Sequence, residues 1–424
     1  MTLRSRTKPA EKPTAISLFS GAGGLDYGFE AAGYSVRVAH DFDQDSCATM
    51  RANRSFPVLC KDIHDTPSGE LLEAGGLRKG EVSVLVGGPP CQPFSKSAYW
   101  TNGDTRRLGD PRARTLDAFM RCVQDALPKV FLLENVHGIH YSGKEEGFGL
   151  LHHLTQRINK AEGVSYALSW KVLNAADYGV PQIRQRFFLV GHRDGKRFEF
   201  PKPTHTGSAG ADQPSLYESE DLPGHVTAWD AIGGLGPASG EDLAIRGRWA
   251  DLLPSIPEGE NYLWHTSRKG GMPLFGWRTR YWSFLLKLGK DSPSWTIQAQ
   301  PGPAIGPFHW ENRRLSVEEM ARLQTFPKRI KFVGSRVSVQ RQLGNAVPSL
   351  LAEVLAREIA RQFFDTTYTA PLRLRIRLQR PIPEPSPLRP VPKKFRSLAG
   401  DHADHPGTGR GRAALHRSGM LLGP

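Results

Sequence analysis

This 424-residue chain is poor in the features that build covalent, metal-bound or membrane scaffolds. It has four cysteines, Cys47, Cys60, Cys91 and Cys122, and none lies in a Cys-x-x-Cys or other metal-type spacing. A disulfide framework is not expected at this size, nor is a bound metal; reduced thiols in a cytosolic setting are. No apolar run approaches the ~20 residues that span a bilayer. The first 13 residues are polar and basic and lack the apolar stretch of a secretory signal. There is no internal repeat, and no glycine loop followed by the Lys-Ser/Thr of a phosphate-binding loop. What is present suits a globular chain with a real core: 39% of residues are hydrophobic and 9% aromatic.

Charge of one sign is in excess. The formal net charge is +14, which favours a polyanionic partner, most simply nucleic acid. The excess is uneven. From Pro371 onward there are 11 basic and 3 acidic residues, so +8 of the +14 sits in a tail and +6 in the preceding 370 residues.

From Thr14 to about Phe200 short apolar runs alternate with helical segments. Ile16–Phe19, Val36–Ala39, Val82–Val86, Val130–Leu133 and Phe187–Val190 read as strands. Strands separated by helices predict a mostly parallel sheet with helices on both faces. Residues 1–13 read as a flexible basic arm, and 14–200 as the first part of this domain. Residues 201–336 form a second, loop-rich domain, because Pro, Gly, Ser and Trp rise there. Within it, Ser316 caps a helix over Val317–Gln324, with Glu318 and Glu319 in the first turn. Residues 337–365, with a helix over Ser349–Phe364, return to the first domain. Residues 366–424 read as a basic, Pro-rich, disordered tail, apart from an edge-strand-like alternation at Leu372–Leu378.

Chemistry concentrates at strand ends. Gly87-Gly88-Pro89-Pro90-Cys91-Gln92-Pro93-Phe94-Ser95 follows the apolar run Val82–Val86. Open α/β sheets place their chemistry at the carboxyl ends of strands. A thiol there, on a loop stiffened by prolines, reads as a nucleophile rather than core filling. Phe19-Ser20-Gly21-Ala22-Gly23-Gly24 follows another strand, and Asp41 ends the next. With Phe42 to stack on a purine and Asp62 to accept from its amino group, these suit an adenosine. The glycines would equally serve a tight structural turn. Glu134 closes the strand after the one that carries Cys91, so a thiol and a carboxyl are expected side by side. In Gln182-Ile183-Arg184-Gln185-Arg186, alternation points Arg184 and Arg186 to one side, where they could hold a phosphate and a base carbonyl.

The ordered blocks LFSGAGG (18–24), GGPPCQPFS (87–95), ENV (134–136), QIRQR (182–186), RRLSVEEMARLQTFP (313–327) and QLGNAVP (342–348) resemble the DNA (cytosine-5) methyltransferase family in its compact bacterial restriction–modification form. The resemblance implies a Rossmann-like, S-adenosylmethionine-dependent methyltransferase sheet with helices on both faces, plus a smaller loop-rich target-recognition domain at 201–336. It implies Cys91 as nucleophile, Glu134 as the acid gripping cytosine N3 and its amino group, and Arg186, with Arg184, as the holder of the extruded base. It matches Phe19, Gly21, Ala22, Gly24, Asp41, Phe42, Asp62, Ile63, Pro90, Asn345 and Ala346 to the S-adenosylmethionine pocket. The family more often has Glu where Asp41 stands. DNA contacts are expected from Gln92, Ser95, Gln182, Arg106 and Arg107, with Gln92–Arg112 as a mobile active-site loop. Base readers are expected within Arg268–Arg280 and Ser294–His309, the tryptophans there being packing groups. The basic tail is expected to be a non-specific DNA contact or a solvated extension. Double-stranded DNA is the implied partner, with a restriction endonuclease as functional counterpart, and the setting is a monomer in a bacterial cytoplasm, associated with the nucleoid. An RNA substrate, a catalytically idle DNA-binding protein and a nicotinamide oxidoreductase are the alternatives. The domain before RRLSVEE, the intact Cys91, Glu134 and Arg186, and the incomplete glycine pattern weigh against them in turn.

Overall fold

The computed structural model describes residues 12–90, 114–136, 146–207, 222–236 and 240–405. Its strands are β1 (Thr14–Leu18), β2 (Ser35–Asp41), β3 (Val58–Cys60), β4 (Val84–Gly87), β5 (Val130–Val136), β6 (Ala167–Asn174), β7 (Gln182–Ile183), β8 (Gln185–His192) and β9 (Ser294–Trp295). Seven of them form one sheet in the order β3-β2-β1-β4-β5-β8-β6, and β7 pairs with β9 apart from it. Pairing is parallel from β3 through β5, whereas β8 runs antiparallel to both β5 and β6. The five strands expected from sequence are all present. The reversal of β8 and the strands β3 and β6 were not anticipated.

The apolar runs make strands because both faces of the sheet are covered. Alternate residues divide between two cores. Ala15, Val84, Val86, Val130 and Leu132 pack with Phe29, Leu351, Leu355 and Ile359 on one face. Ile16, Leu18, Leu85, Phe131 and Leu133 pack with Phe119, Val123 and Leu151 on the other. The first face is built by helix Gly24–Ala31 and by helix Ser349–Phe363, which returns from far along the chain. A side chain at Gly28 would run into Ala352, Glu353 and Ser349, so glycine is what lets these two helices touch. Ser316 caps helix Val317–Leu323 as expected, in a full capping box with Glu319.

Residues 240–315 are built differently. Their elements are the short turns Ala250–Ser255 and Tyr262–His265 and the two-residue β9. Their core is aromatic: Tyr262, Phe275, Phe284 and Phe308 with Trp249, Trp264 and Trp277 at its edge.

The tail departs from expectation. Residues 371–378 form no strand, and 366–405 follow a fixed path over the protein. Pro-rich backbone cannot build its own ladder, and its N–H groups must still find acceptors. Buried carboxylates supply them. Glu353 accepts from the amides of Arg373 and Leu374 at 2.8 and 2.9 Å, Asp230 from that of Gln379 at 2.8 Å, and Glu258 from that of Ser386 at 2.9 Å. Leu372 and Leu374 pack on the sheet-side core. Phe395 stacks on Trp249 at 5.5 Å in the loop-rich core. Disorder is therefore the wrong description of 366–405, whose basic residues include a strap joining both parts of the molecule. Residues 406–424 and 1–11 lie outside the described residues.

Candidate active site

β4 and β5 are parallel neighbours with Gly87 opposite Leu133, so the segment after β4 runs beside Glu134. Gly88 is glycine for a reason of space: a Cβ there would sit 2.8 Å from Glu134 Oε2. Asn135, unremarked in the sequence reading, donates through Nδ2 to the Pro89 carbonyl at 3.2 Å and so ties the proline loop to β5. Thr115 donates to the Pro90 carbonyl at 3.2 Å. The loop that leads to Cys91 is thus anchored up to Pro90. Cys91, Gln92, Ser95, Arg106, Arg107 and the rest of the expected mobile loop to Arg112 lie outside the described residues.

Glu134 is 8% exposed and forms an ion pair with Arg186, whose Nε lies 3.1 Å from its Oε1. The β5–β8 register brings them together, with Val136 opposite Arg186. Burial pushes the Glu134 carboxyl above the usual carboxylate range, and the guanidinium groups of Arg186 and Arg184 act against that shift without cancelling it. A carboxyl that holds its proton more readily beside a fixed cation can both donate to a ring nitrogen and accept from an amino group.

Arg184 does not share this position. It is 1% exposed, and its guanidinium donates to the Gly344 carbonyl at 2.7 Å and the Ile297 carbonyl at 3.4 Å. Alternation fails because the chain breaks between β7 and β8 at this residue. Gln182, expected at the DNA, is 0% exposed. Its amide donates to the Leu323 carbonyl at 3.3 Å and to Gln324 Oε1 at 3.2 Å, and accepts from the Ile297 amide at 3.1 Å. Both ends of that side chain are used internally, so a direct DNA contact by Gln182 is corrected to a structural one. Gln182 and Arg184 fasten the strand bearing Arg186 to the loop-rich segment and to the QLGNAVP block.

The expected cofactor residues converge at the carboxyl ends of β1, β2 and β3. Asp41 Oδ2 accepts from the Gly21 amide at 2.7 Å and Oδ1 from the Asp43 amide at 2.9 Å. Asp41 therefore holds the glycine loop against β2. Phe19 and Gly21 take positive φ of 52° and 54°, a conformation glycine adopts freely and phenylalanine only under constraint. A side chain at Gly24 would strike the backbone of Val347, so the glycine brings Asn345 and Ala346 beside the loop. Phe42 is 66% exposed at the end of β2, an apolar ring left in solvent where a purine would cover it. Asp62 caps the turn Ile63–Asp65 by accepting from His64. Ala22 and Ile63 have their side chains in the cores, so a ligand would meet them through their backbones. Pro90 is exposed beside Glu134's strand. A buried carboxylate held at a glycine loop, an exposed aromatic ring next to it and a second acid one strand over fit an adenosine moiety.

Of two further buried acids, Asp26 was not singled out from the sequence and Glu319 was expected only as a first-turn helix residue. Asp26 lies beneath the glycine loop, where Ser17 donates to it at 3.0 Å, and burial raises its carboxyl to about 7. Glu319 is held by Arg313 at 2.7 Å in the RRLSVEE block. Among the described residues no group of three or more His, Cys, Asp and Glu is placed to hold a metal, and no helix is long and apolar enough to cross a membrane.

The chain matches the family model described as C-5 cytosine-specific DNA methylase over residues 14–361. It is 44% identical over 374 residues to the type II methyltransferase M.SacI of Streptomyces achromogenes, covering 82% of this chain and 92% of that protein. It is 34% identical to the type II methyltransferase M1.HphI of Haemophilus parahaemolyticus, covering 82% and 86%. In fold it is similar to the Entamoeba histolytica methyltransferase EhMeth, with a TM-score of 0.54 at 16% identity over 83% of this chain and 99% of that one. The geometry at the ends of β4, β5 and β8 and the match along most of the chain lead to one assignment: this protein belongs to the C-5 cytosine-specific DNA methylases.

Proposed function

We propose that this enzyme methylates carbon 5 of a cytosine within a specific double-stranded DNA sequence, using S-adenosylmethionine and a covalent bond from Cys91 to carbon 6 of the base. The observation that carries the reading is the buried Glu134–Arg186 pair directly beside the loop that leads to Cys91. Carbon 5 of cytosine is a poor nucleophile while the ring is aromatic. Addition of the Cys91 thiolate to carbon 6 breaks the aromaticity and shifts electron density to carbon 5. Glu134, with its carboxyl raised by burial, offers a proton to N3 as charge builds on that side of the ring. Arg186 stays against Glu134 and orients it. S-adenosylmethionine, when bound at Asp41, Phe42, Asp62 and the glycine loop, supplies an electrophilic methyl group to carbon 5. A base then takes the carbon 5 proton, the electrons of that bond restore the carbon 5–carbon 6 double bond, the sulfur leaves carbon 6, and N3 returns its proton to Glu134.

Such chemistry is impossible inside stacked duplex, so the cytosine is extruded into the pocket. The relatives' description as type II methyltransferases supports a role in protecting host DNA from a cognate restriction endonuclease. A monomer suits a reaction on one base at a time, in the bacterial cytoplasm beside the nucleoid. The division into a catalytic part at 14–200 and 337–365 and a target-recognition part at 201–336 follows the same reading.

The test is bisulfite sequencing of plasmid from a host expressing the chain, beside a Cys91→Ser control. Protected cytosines at one short sequence with the parent chain, and none with the control, are expected. Equal conversion in both would remove the proposal. Glu134→Ala is expected to lower kcat about 10²–10⁴-fold in a methyl-transfer assay.

A further inference from the structure

One exposed run is left without a structural reason. Arg278, Thr279, Arg280, Tyr281 and Trp282 are consecutive and all exposed, with Tyr281 at 73% and Trp282 at 52%. The tryptophans expected to be packing groups do pack: Trp229 and Trp310 in one cluster, Trp249, Trp264 and Trp277 in another. Trp282 does not follow them. Rings this exposed forgo much of the burial that usually stabilises such side chains.

The run is not loose. The Tyr262 hydroxyl donates to the Arg280 carbonyl at 2.9 Å and accepts from the Arg280 amide at 3.0 Å. Asn261 donates to the Trp282 carbonyl at 2.9 Å, and the Phe284 amide to the Tyr281 carbonyl at 2.9 Å. Tyr262 and Asn261 are themselves buried. The backbone is pinned and the two rings are held outward.

The mounting also leads to the active site. Trp282 meets Trp295 edge-on at 5.3 Å. Trp295 pairs with Ile183, and Thr296 donates to the Ile183 carbonyl at 2.7 Å. Arg186 follows three residues later. Neither Arg278 nor Arg280 forms a salt bridge among the described residues; Arg280 lies over the Phe284 ring at 5.9 Å, and both cations precede the rings in the same exposed run. Exposed aromatic rings on a pinned backbone, preceded by two guanidinium groups without carboxylate partners and continuous with the strand that leads to Arg186, suit a nucleic-acid duplex: cations for phosphates, rings for base faces.

We propose that Tyr281 and Trp282 form an aromatic wedge that enters the DNA beside the target cytosine and stacks on the bases left behind, while Arg278 and Arg280 hold flanking phosphates. The proposal rests on the reading that the target base leaves the helix. The wedge then offsets the stacking lost on extrusion.

The experiment uses the full chain and two duplexes carrying its methylated sequence. In one the target cytosine is paired with guanine, and in the other it faces an abasic site, so that it is already loose. Single-turnover methylation by Trp282→Ala is expected to fall at least about tenfold on the paired duplex and to recover to within about threefold of the parent on the abasic one. Trp282→Phe should stay near the parent rate, and Tyr281→Ala should show the same pattern with a smaller loss. Tyr281→Ala removes a ring with little packing, so it carries the test if Trp282→Ala melts early. Equal losses on both duplexes, or no loss on either, would overturn the wedge while leaving the methylation reading intact. A parent chain that methylates neither duplex would overturn both.

Discussion

The seven-stranded sheet and the loop-rich region at 240–315 sit in one chain and are held together by different means. The sheet rests on backbone ladders, with side chains sorted by alternation into two dry cores. The loop-rich region has almost no ladder. It rests on an aromatic core, on side chains that capture backbone groups, and on a tail from beyond residue 380. The difference teaches where variation is tolerated. A ladder is indifferent to side chains that point outward, whereas a region fixed by particular side chains changes its surface only by keeping its anchors. The proposed role of this region in reading DNA sequence would benefit from that arrangement: pinned backbone below, variable side chains above.

The largest test of this contrast is truncation after Arg380. It removes Phe395, the amide of Ser386 that satisfies Glu258, and Asp404, which pairs with Arg268. Loss of a buried phenylalanine alone costs about 3–5 kcal/mol. Hydrogen exchange is expected to show early opening around Leu285–Leu288 while amides of β1 and β4 keep their protection. Equal loss in both parts would break the comparison.

Next in size is a site on the sheet side where a side chain does matter. Asp26 is raised from 3.8 to about 7 by burial. A carboxyl raised on folding stabilises the protein fully below the unfolded value and loses that contribution as pH climbs through the folded one. The parent chain is thus expected to lose on the order of 4 kcal/mol relative to Asp26→Asn between about pH 4 and pH 8. Chemical denaturation of both proteins across that window measures it. Parallel stability curves would show that Asp26 does not titrate in that range.

The seam between the two parts comes third. Gln182→Leu leaves the Ile297 amide and the Leu323 carbonyl short of partners and should cost about 1–3 kcal/mol. Because this residue positions the strand of Arg186, kcat should fall while KM for DNA stays put. A raised KM with unchanged stability would return Gln182 to the DNA surface. The smallest effect is Thr227→Ala, which removes the hydroxyl of a capping box with Asp230 and should cost about 1 kcal/mol in thermal melting. No measurable change would mean that the tail's contacts to Asp230 carry that corner alone.

The same contrast explains what could be read in the sequence. Ile16–Phe19, Val82–Val86 and Val130–Leu133 were legible as strands because strands buried on both faces are apolar throughout. β6 was missed although Leu168, Trp170 and Val172 alternate with Ser169 and Lys171, because it is a mostly half-buried strand and not an apolar run like the others. That Glu134 lies beside the loop leading to Cys91 was legible because consecutive strands are neighbours; its ion pair with Arg186 was not, since it depends on the antiparallel register of β8. Gln182 and Arg184 were misplaced because their partners, Ile297 and Gly344, lie more than 100 residues away. The tail looked disordered because Pro-rich backbone announces no ladder, and the carboxylates that hold it belong to other elements.

The central claim is that Cys91, delivered by the loop anchored beside Glu134, bonds to a cytosine swung out of its helix. Oligonucleotides carrying 5-fluorocytosine block loss of the carbon 5 proton and should trap the adduct. In the presence of S-adenosylmethionine, and across a pool of random sites, a denaturation-resistant protein–DNA complex is predicted for the parent chain and none for Cys91→Ser. No complex with the parent chain, or an equal yield with Cys91→Ser, would contradict the account.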